Sequence, residues 1–330
     1  MEAVYAAPDD DAPRRALADS LTAAGDPRGP FIATQLAQAR GEKVPKAEVA
    51  AARAALRAHG KAWLAPLTDR GVIVASTVKW ARGFPASGRL NLSGSWAEGL
   101  RDRDPKAPHP LADVAALATL RSLKLCSPNS LLHPRHSEAI ALLPQLRWLR
   151  ELIDVPRSTL AKVAAAKPPF ALERVRHQPQ GGGGLEGERA EVKERARLDA
   201  AFAKAKGLPA LRDLDLSWSH GRNRPDDYRW LFETELGARL EVLRLEGYYL
   251  EREVPPWMDA LDGAPGLALR ELNIHHGHFT ASLVKGDDGR WSRLTGKAEH
   301  DRYGHLAREL PDLQKAVGQK RLTIAVDGLT

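Results

Sequence analysis

One six-residue pattern returns along the chain and limits what the chain can fold into. Each copy reads Leu-x-x-Leu-x-Leu, or has Ile in the last place, and the clearest copies begin at Leu120, Leu211, Leu240 and Leu269. The last two apolar residues of each copy alternate with polar ones, which is the period of a strand with one buried face. The pattern therefore predicts a set of short, equivalent strands.

The spacing of the copies is similar to that of leucine-rich repeats, which have roughly 20–29 residues each. With weaker copies at Leu146 and Leu172, the spacings are 26, 26, 39, 29 and 29 residues. The spacing of 39 residues contains a Gly-rich segment, and we predict that this segment is a flexible insertion at about 178–187. We predict an α/β fold with two parts. Residues 1–60 form a small helical module, and residues 61–330 form an irregular leucine-rich-repeat-like solenoid that has a cap at each end.

Residues 1–60 carry helix signals. Asp9–Pro13 combines acidic residues with a proline, which favours a helix start. Gly25–Gly29 predicts a turn between two helices, in which Asp26 caps the second helix. An alanine-rich third helix is expected to end at Gly60 as its C-cap.

The polar positions of this module resemble the bacterial repeat-companion domain. The string Asp9-Asp10-Asp11-Ala12-Pro13-Arg14, then Gly25-Asp26-Pro27-Arg28-Gly29, Phe31-Ile32 and Gln35, is similar to the family's D-D-D-x-P-R and G-D-P-R-G-E-F-I-x-x-Q. The chain departs from that wording at Ser20, where the family usually has tryptophan, and at Pro30, where it usually has glutamate. The step Arg82-Gly83-Phe84 resembles the start of the repeat array in proteins of that family, and we expect it to turn into a first capping strand. The resemblance implies a repeat array in the same chain, and leaves open whether the module binds something or only caps that array.

The positive charge is concentrated in one segment. The whole chain has a net charge of +7, while residues 61–176 hold 18 Lys/Arg and only 9 Asp/Glu. This segment could bind nucleic acid or an acidic partner. A continuous arginine stripe would favour that alternative, whereas pairing of Arg150, Arg174 and Arg176 with carboxylates would count against it.

The composition is typical of a cytoplasmic protein. A single cysteine, Cys126, rules out an internal disulfide framework and fits a reducing compartment. The first residues show neither the basic nor the apolar region of a signal peptide. No stretch approaches the roughly 18 uninterrupted apolar residues of a membrane span, so we expect no membrane association.

Little in the sequence predicts catalysis. His275, His276 and His278 are the most metal-like group, but no other cluster completes four ligands at a motif spacing, so we predict no metal and no cofactor. Cys126 comes directly after a predicted strand, and the role of this thiol and of the three histidines stays open. We predict a protein that is not an enzyme. The alternative, an enzyme or enzyme subunit with an unrecognised site, would require perturbed ionisable groups clustered in a pocket.

The polar positions of the strands form the predicted binding site. They should project in parallel rows from a concave face, and charged residues beside an aromatic one suit protein or peptide recognition. The predicted binding residues are Ser122, Lys124, Trp148, Arg150, Arg174, Arg176, Asp213, Asp215, Arg244, Glu271 and Asn273.

Overall fold

The computed structural model describes residues 1–91, 109–125, 143–177, 196–204, 206–216, 224–246, 250–276 and 279–294. The chain divides into two compact units. The N-terminal unit holds residues 1–172 and 206–210, and the C-terminal unit holds residues 173–205 and 211–330. Both units combine helices with strands. The predicted module at 1–60 therefore shares one unit with the first strands. Cys126, the insertion at 178–187 and the predicted C-terminal cap lie outside the described residues.

Four helices open the N-terminal unit. They are α1 Glu2–Ala6, α2 Ala12–Ala23, α3 Arg28–Ala39 and α4 Lys46–Thr68. The start of α2 agrees with the prediction, because the Ala12 N–H donates to Asp10 Oδ1 at 2.8 Å. The cap of α3 is confirmed, because the Arg28 N–H donates to Asp26 Oδ1 at 2.8 Å.

The prediction that Gly60 ends the third helix is wrong. Gly60 lies inside α4, which continues to Thr68. A glycine inside a helix costs only about 1 kcal/mol. Leu64 and Leu67, in the last turns of α4, are both buried, and their packing outweighs that cost. The helical part of this unit is therefore longer than the sequence indicates.

The strands of the N-terminal unit come after its four helices. They are β1 Lys79–Ala81, β2 Phe84–Arg89, β3 Ser122–Lys124 and β4 Glu151–Val155, and helix α5 Arg157–Ala164 comes after β4. Strands β1 and β2 are antiparallel and turn at Arg82 and Gly83, which confirms the predicted turn. Strands β2, β3 and β4 run parallel, and the buried Leu123 of β3 aligns with the buried Leu152 of β4.

The second copy of the pattern is displaced from its predicted position. Glu151, not Trp148, aligns with Ser122, so the copy begins at Leu149 instead of Leu146. Both leucines are buried, and the local pattern fits either of them. Leu146 belongs to a 3-10 helix, Pro144–Trp148, that leads into β4. The proline favours this turn and moves the strand three residues along the chain.

The C-terminal unit contains six strands among its described residues. They are β5 Arg174–His177, β6 Asp213–Leu216, β7 Val242–Glu246, β8 Glu271–His276, β9 Phe279–Lys285 and β10 Trp291–Leu294. Strands β5 to β8 pair in parallel, whereas β8, β9 and β10 pair antiparallel. Strands β9 and β10 form a hairpin whose turn contains Gly286 and Gly289. Between strands lie α6 Arg229–Glu233, α7 Leu250–Asp262 and a helical segment at 196–202.

One face of this second group of strands is apolar. Fully buried residues align across five strands: Val175, Leu214, Leu243, Leu272 and Leu283. Aromatic side chains from the intervening segments are also buried, and Trp257 lies 5.6 Å from Tyr228, measured between ring centroids. Trp230 and Trp291 are buried too. Burial on one face leaves the alternate residues for the opposite face.

Candidate functional site

The opposite face of strands β5 to β9 carries aligned polar side chains, which we call the polar face. One row aligns Arg176, Asp215, Arg244, Asn273 and Ser282 across five strands. A second row aligns Arg174, Asp213, Val242 and Glu271. Every C-terminal residue of the predicted site therefore lies on this one face, as the period of two predicts.

Ion pairs join the first three strands of the polar face. Asp213 lies between two arginines: its carboxylate contacts Arg174 Nε at 3.2 Å and also pairs with Arg244. Arg176 Nε lies 3.3 Å from Asp215 Oδ2. Cross-strand pairs of opposite charge stabilise a sheet and hold long side chains in one geometry.

Hydrogen bonds continue this order on the last strands. The Asn273 amide donates to Glu271 Oε1 at 2.6 Å, and the Ser282 hydroxyl donates to Asn273 Oδ1 at 2.7 Å. Asn273 is buried, so its amide needs these partners. Side-chain bonds thus hold the polar face in two groups, one from β5 to β7 and one on β8 and β9.

Cations and anions of the polar face differ in exposure. The side chains of Arg174 and Arg176 are 57% and 53% exposed, whereas those of Asp213 and Asp215 are 18% and 6% exposed. The carboxylates thus lie beneath the guanidinium groups. The solvent-exposed surface above β5 is therefore positively charged, although the polar face as a whole carries as many carboxylates as arginines.

The N-terminal unit carries a shorter polar surface on β3 and β4. The Ser122 hydroxyl donates to Glu151 Oε2 at 2.7 Å, and Lys124 Nζ lies 2.7 Å from Asp154 Oδ2. Ser122 and Lys124 are thus strand residues, as predicted. Placing Trp148 in a strand row is wrong: it ends the 3-10 helix before β4 and is 37% exposed.

Arg150 is also misplaced by the prediction, because it precedes β4 and contacts Asp9. Its Nη2 donates to Asp9 Oδ2 at 2.9 Å. Arg121 Nε donates to Asp9 Oδ1 at 3.0 Å, and Arg82 lies 3.8 Å from the same carboxylate. Burial raises the pKa of Asp9, but Arg121 and Arg150 outweigh that effect, and the pKa of Asp9 is lowered. One residue of the Asp-Asp-Asp string thus joins the start of the chain to three distant arginines.

A buried arginine lies next to this group. Arg14 is buried beside the Phe84 ring, 5.4 Å from its centroid, and donates from Nη1 to the Asp10 carbonyl at 3.0 Å. Burial, reinforced by the charges of Arg82 and Arg121, lowers the pKa of Arg14 to about 10. Arg14 therefore stays charged at neutral pH and contributes to the packing of the N-terminal unit.

Further motif residues pack α3 on the β1–β2 turn and on α2. The Gly83 N–H donates to Gln35 Oε1 at 2.7 Å, and Gly83 has a φ of +82°. Gly29 permits close approach of α3 to α2, because a Cβ there would lie 2.5 Å from the Thr22 backbone nitrogen. This close approach of the two helices explains glycine at position 29. These motif residues thus contribute to the packing of the N-terminal unit.

A cleft of about 620 Å³ in the N-terminal unit bears on the enzyme alternative. Its ionisable lining residues are Tyr5, Asp69, Arg70 and Asp113, and several alanines complete the lining. Burial raises the pKa of Tyr5, while Arg70 and Asp113 pair with each other at 2.6 Å. A phenol, the Asp69 carboxylate and an ion pair do not in this cleft form the cluster of perturbed groups that the enzyme alternative requires.

The histidine group is divided. His275 and His276 lie on β8, His275 is buried, and His278 falls outside the described residues. Among the residues that the structure describes, no group of three or more His, Cys, Asp or Glu could hold a metal ion. Within the same ranges, no helix combines the length and apolarity that crossing a bilayer demands.

Comparison of the chain with protein-family models, with curated proteins and with solved structures found no match in any of the three. The resemblance to the repeat-companion domain and the assignment of leucine-rich repeats therefore stay predictions. Any functional proposal for this chain rests on the contacts within each unit.

Proposed function

We propose that the protein is a non-catalytic binding module. In this proposal an irregular leucine-rich repeat array lies behind a helical repeat-companion-like module, and the polar face of β5–β9 binds a peptide segment of another protein. The single observation that carries the proposal is the alignment of polar side chains across five strands. Ion pairs join these side chains from β5 to β7, and a hydrogen bond joins those of β8 and β9.

Pre-ordered side chains favour recognition for a physical reason. Binding costs about 0.5–1.5 kcal/mol for each long side chain that it must immobilise. Arg174, Arg176 and Arg244 already pair with carboxylates, so less of that cost is left for the ligand. Such a face suits a polar peptide better than an apolar one. When the ligand displaces water, the polar groups of the face need new hydrogen-bond partners, and a polar peptide supplies them.

The pairing of the arginines speaks against nucleic-acid binding. Arg150 contacts Asp9, Arg174 contacts Asp213, and Arg176 contacts Asp215. Salt-dependent binding of a phosphate backbone needs several cations that neutralise phosphates. Each of the three arginines lies beside a carboxylate, which reduces the positive electrostatic potential that would attract a long polyanion. We therefore retain peptide binding as the proposed function.

Selection from a random peptide library displayed on phage tests this proposal. The bait is the full chain, and the comparison variant combines Arg176→Ala with Glu271→Ala at the two ends of the polar face. The control combines Arg229→Ala with Glu233→Ala, which removes the same residue types from exposed positions on α6. We expect enriched peptides to bind the wild type and the control alike, and the face variant at least about tenfold more weakly.

Circular dichroism and a melting curve establish that both variants are folded. Failure to enrich any peptide would contradict the proposal. So would peptides that bind the face variant as tightly as they bind the wild type, because the polar face would then contribute nothing to recognition.

A further inference from the structure

We infer that Arg174 and Arg176 form a site for an extended acidic segment that carries carboxylates at positions i and i+2. The inference rests on the proposed function and adds the chemistry of the ligand. The two arginines belong to β5 and are both more than half exposed. They are the most exposed of the charged residues whose ion pairs build the polar face.

The spacing of the pair sets the spacing of its ligand. Residues i and i+2 of a strand point to the same face and lie about 7 Å apart along it. Carboxylates at i and i+2 of an extended peptide have the same separation and also share one side. Each guanidinium of β5 can therefore meet one carboxylate of a peptide that lies along the strand.

The carboxylates of Asp213 and Asp215 orient both guanidinium groups. The contacts to Asp213 and Asp215 are made through Nε, the guanidinium nitrogen nearest the backbone, at 3.2 Å and 3.3 Å. More than half of each arginine side chain is exposed, so a ligand can reach both guanidinium groups, and the planar guanidinium fork binds a carboxylate with two parallel hydrogen bonds. Asp213 is itself held from the other side by Arg244, which is 23% exposed and acts as a positioning residue.

The neighbouring strands decide between a peptide and a nucleic acid. A single strand of nucleic acid also carries regularly spaced anions, but it extends past two charges. Next to the arginine pair, such a strand would meet Asp213, Asp215 and Glu271 on β6 and β8. A short acidic segment along β5 places its two carboxylates on the exposed guanidinium groups, whose charge shields them from the less exposed Asp213 and Asp215. Such a segment does not extend to Glu271 on β8, so the charges favour the peptide.

Fluorescence anisotropy with labelled synthetic peptides and the full chain tests the inference. The probe has a central Glu-Thr-Glu in a Thr/Ser-rich sequence, which favours extended backbone. One comparison peptide has Gln-Thr-Gln. The other has Thr-Glu-Glu, whose adjacent carboxylates point to opposite sides of an extended chain. We expect the first peptide to bind about tenfold or more tightly than either comparison peptide.

Variants locate the site. Arg174→Ala and Arg176→Ala should each weaken binding of the Glu-Thr-Glu peptide about tenfold, whereas Arg229→Ala on α6 should leave it unchanged. Should an alanine variant fail to fold, Arg174→Lys and Arg176→Lys replace it. Lysine keeps the charge but loses the planar fork, so weaker binding is still expected.

Three results would overturn the inference. The first is equal binding of Thr-Glu-Glu and Glu-Thr-Glu, and the second is unchanged binding by all β5 variants. The third is tighter binding of an oligothymidylate than of the peptide, which would indicate a site for a phosphate backbone. If the phage selection instead yields peptides that depend on the polar face but lack paired acidic residues, the proposed function stands and this inference alone fails.

Discussion

Gly83→Ala should lower the free energy of unfolding by about 4 kcal/mol. The φ of +82° at this position costs a residue with a Cβ about 1–2 kcal/mol. The new Cβ would also lie 2.3 Å from Ile32 Cγ1 and 3.0 Å from Ile32 Cα, in a fully buried part of the N-terminal unit. Overpacking of this kind adds about 1–3 kcal/mol, because the helix backbone itself must move.

Gly25→Ala is a matched control for the backbone contribution. Gly25 has a φ of +72°, and no atom lies within 4 Å of the position that its Cβ would take. Its substitution should cost about 1 kcal/mol. Chemical denaturation monitored by tryptophan fluorescence measures both variants, since Trp80 and Trp63 adjoin Phe31 of α3. Equal effects at the two positions would show that α3 does not pack closely on the β1–β2 turn.

Asp9→Asn should lower the free energy of unfolding by about 2 kcal/mol at neutral pH. The substitution removes the charge that Arg121 and Arg150 contact at 3.0 Å and 2.9 Å. Charge-assisted hydrogen bonds contribute about 1.5–3 kcal/mol each when sheltered, but Asp9 is 37% exposed, so solvent reduces the sum. Asp19→Asn on the exposed surface of α2 is the control and should change stability little.

The same variant has a defined pH dependence. The pKa of Asp9 is lowered in the folded protein from its ordinary value of 3.8. A lowered folded pKa means that the ionised carboxylate stabilises the fold above about pH 4 and that this contribution is lost as the pH falls further. The difference between wild type and Asp9→Asn should therefore be full at pH 7 and shrink below pH ~4. A difference that stays constant through this range would contradict the role assigned to the charge.

The strands could be predicted from the sequence because their signal is local. Alternation at Leu214, Leu243 and Leu272 identifies both the buried face and, by exclusion, the polar one. The same reasoning fails near Leu146, because Leu146 and Leu149 are both buried and either could begin the repeat pattern. Only the pairing of Glu151 with Ser122 shows that the copy begins at Leu149. Local patterns thus identify strands better than they fix register.

The arginine group around Asp9 could not be predicted in the same way. Its contacts join Asp9 to Arg121 and Arg150 across 112 and 141 residues of sequence. No spacing rule connects such positions, and the repeat pattern places Arg150 in a strand row and gives Arg121 no role. The Asp-Asp-Asp string resembles a family motif, but that resemblance does not say what the three residues contact. The contacts of Asp9 with the two arginines give a structural role to one of them.

Photo-crosslinking from within the polar face tests the central claim most directly. A benzophenone amino acid replaces Val242, which aligns with Asp213 on one side and Glu271 on the other, and in a second variant it replaces the exposed Glu233 of α6. Both variants are irradiated in native cell extract, and the crosslinked peptides are identified by mass spectrometry. We expect a specific partner peptide from position 242 and none from position 233. Equal crosslinking from the two positions, or none from position 242, would contradict recognition by the polar face.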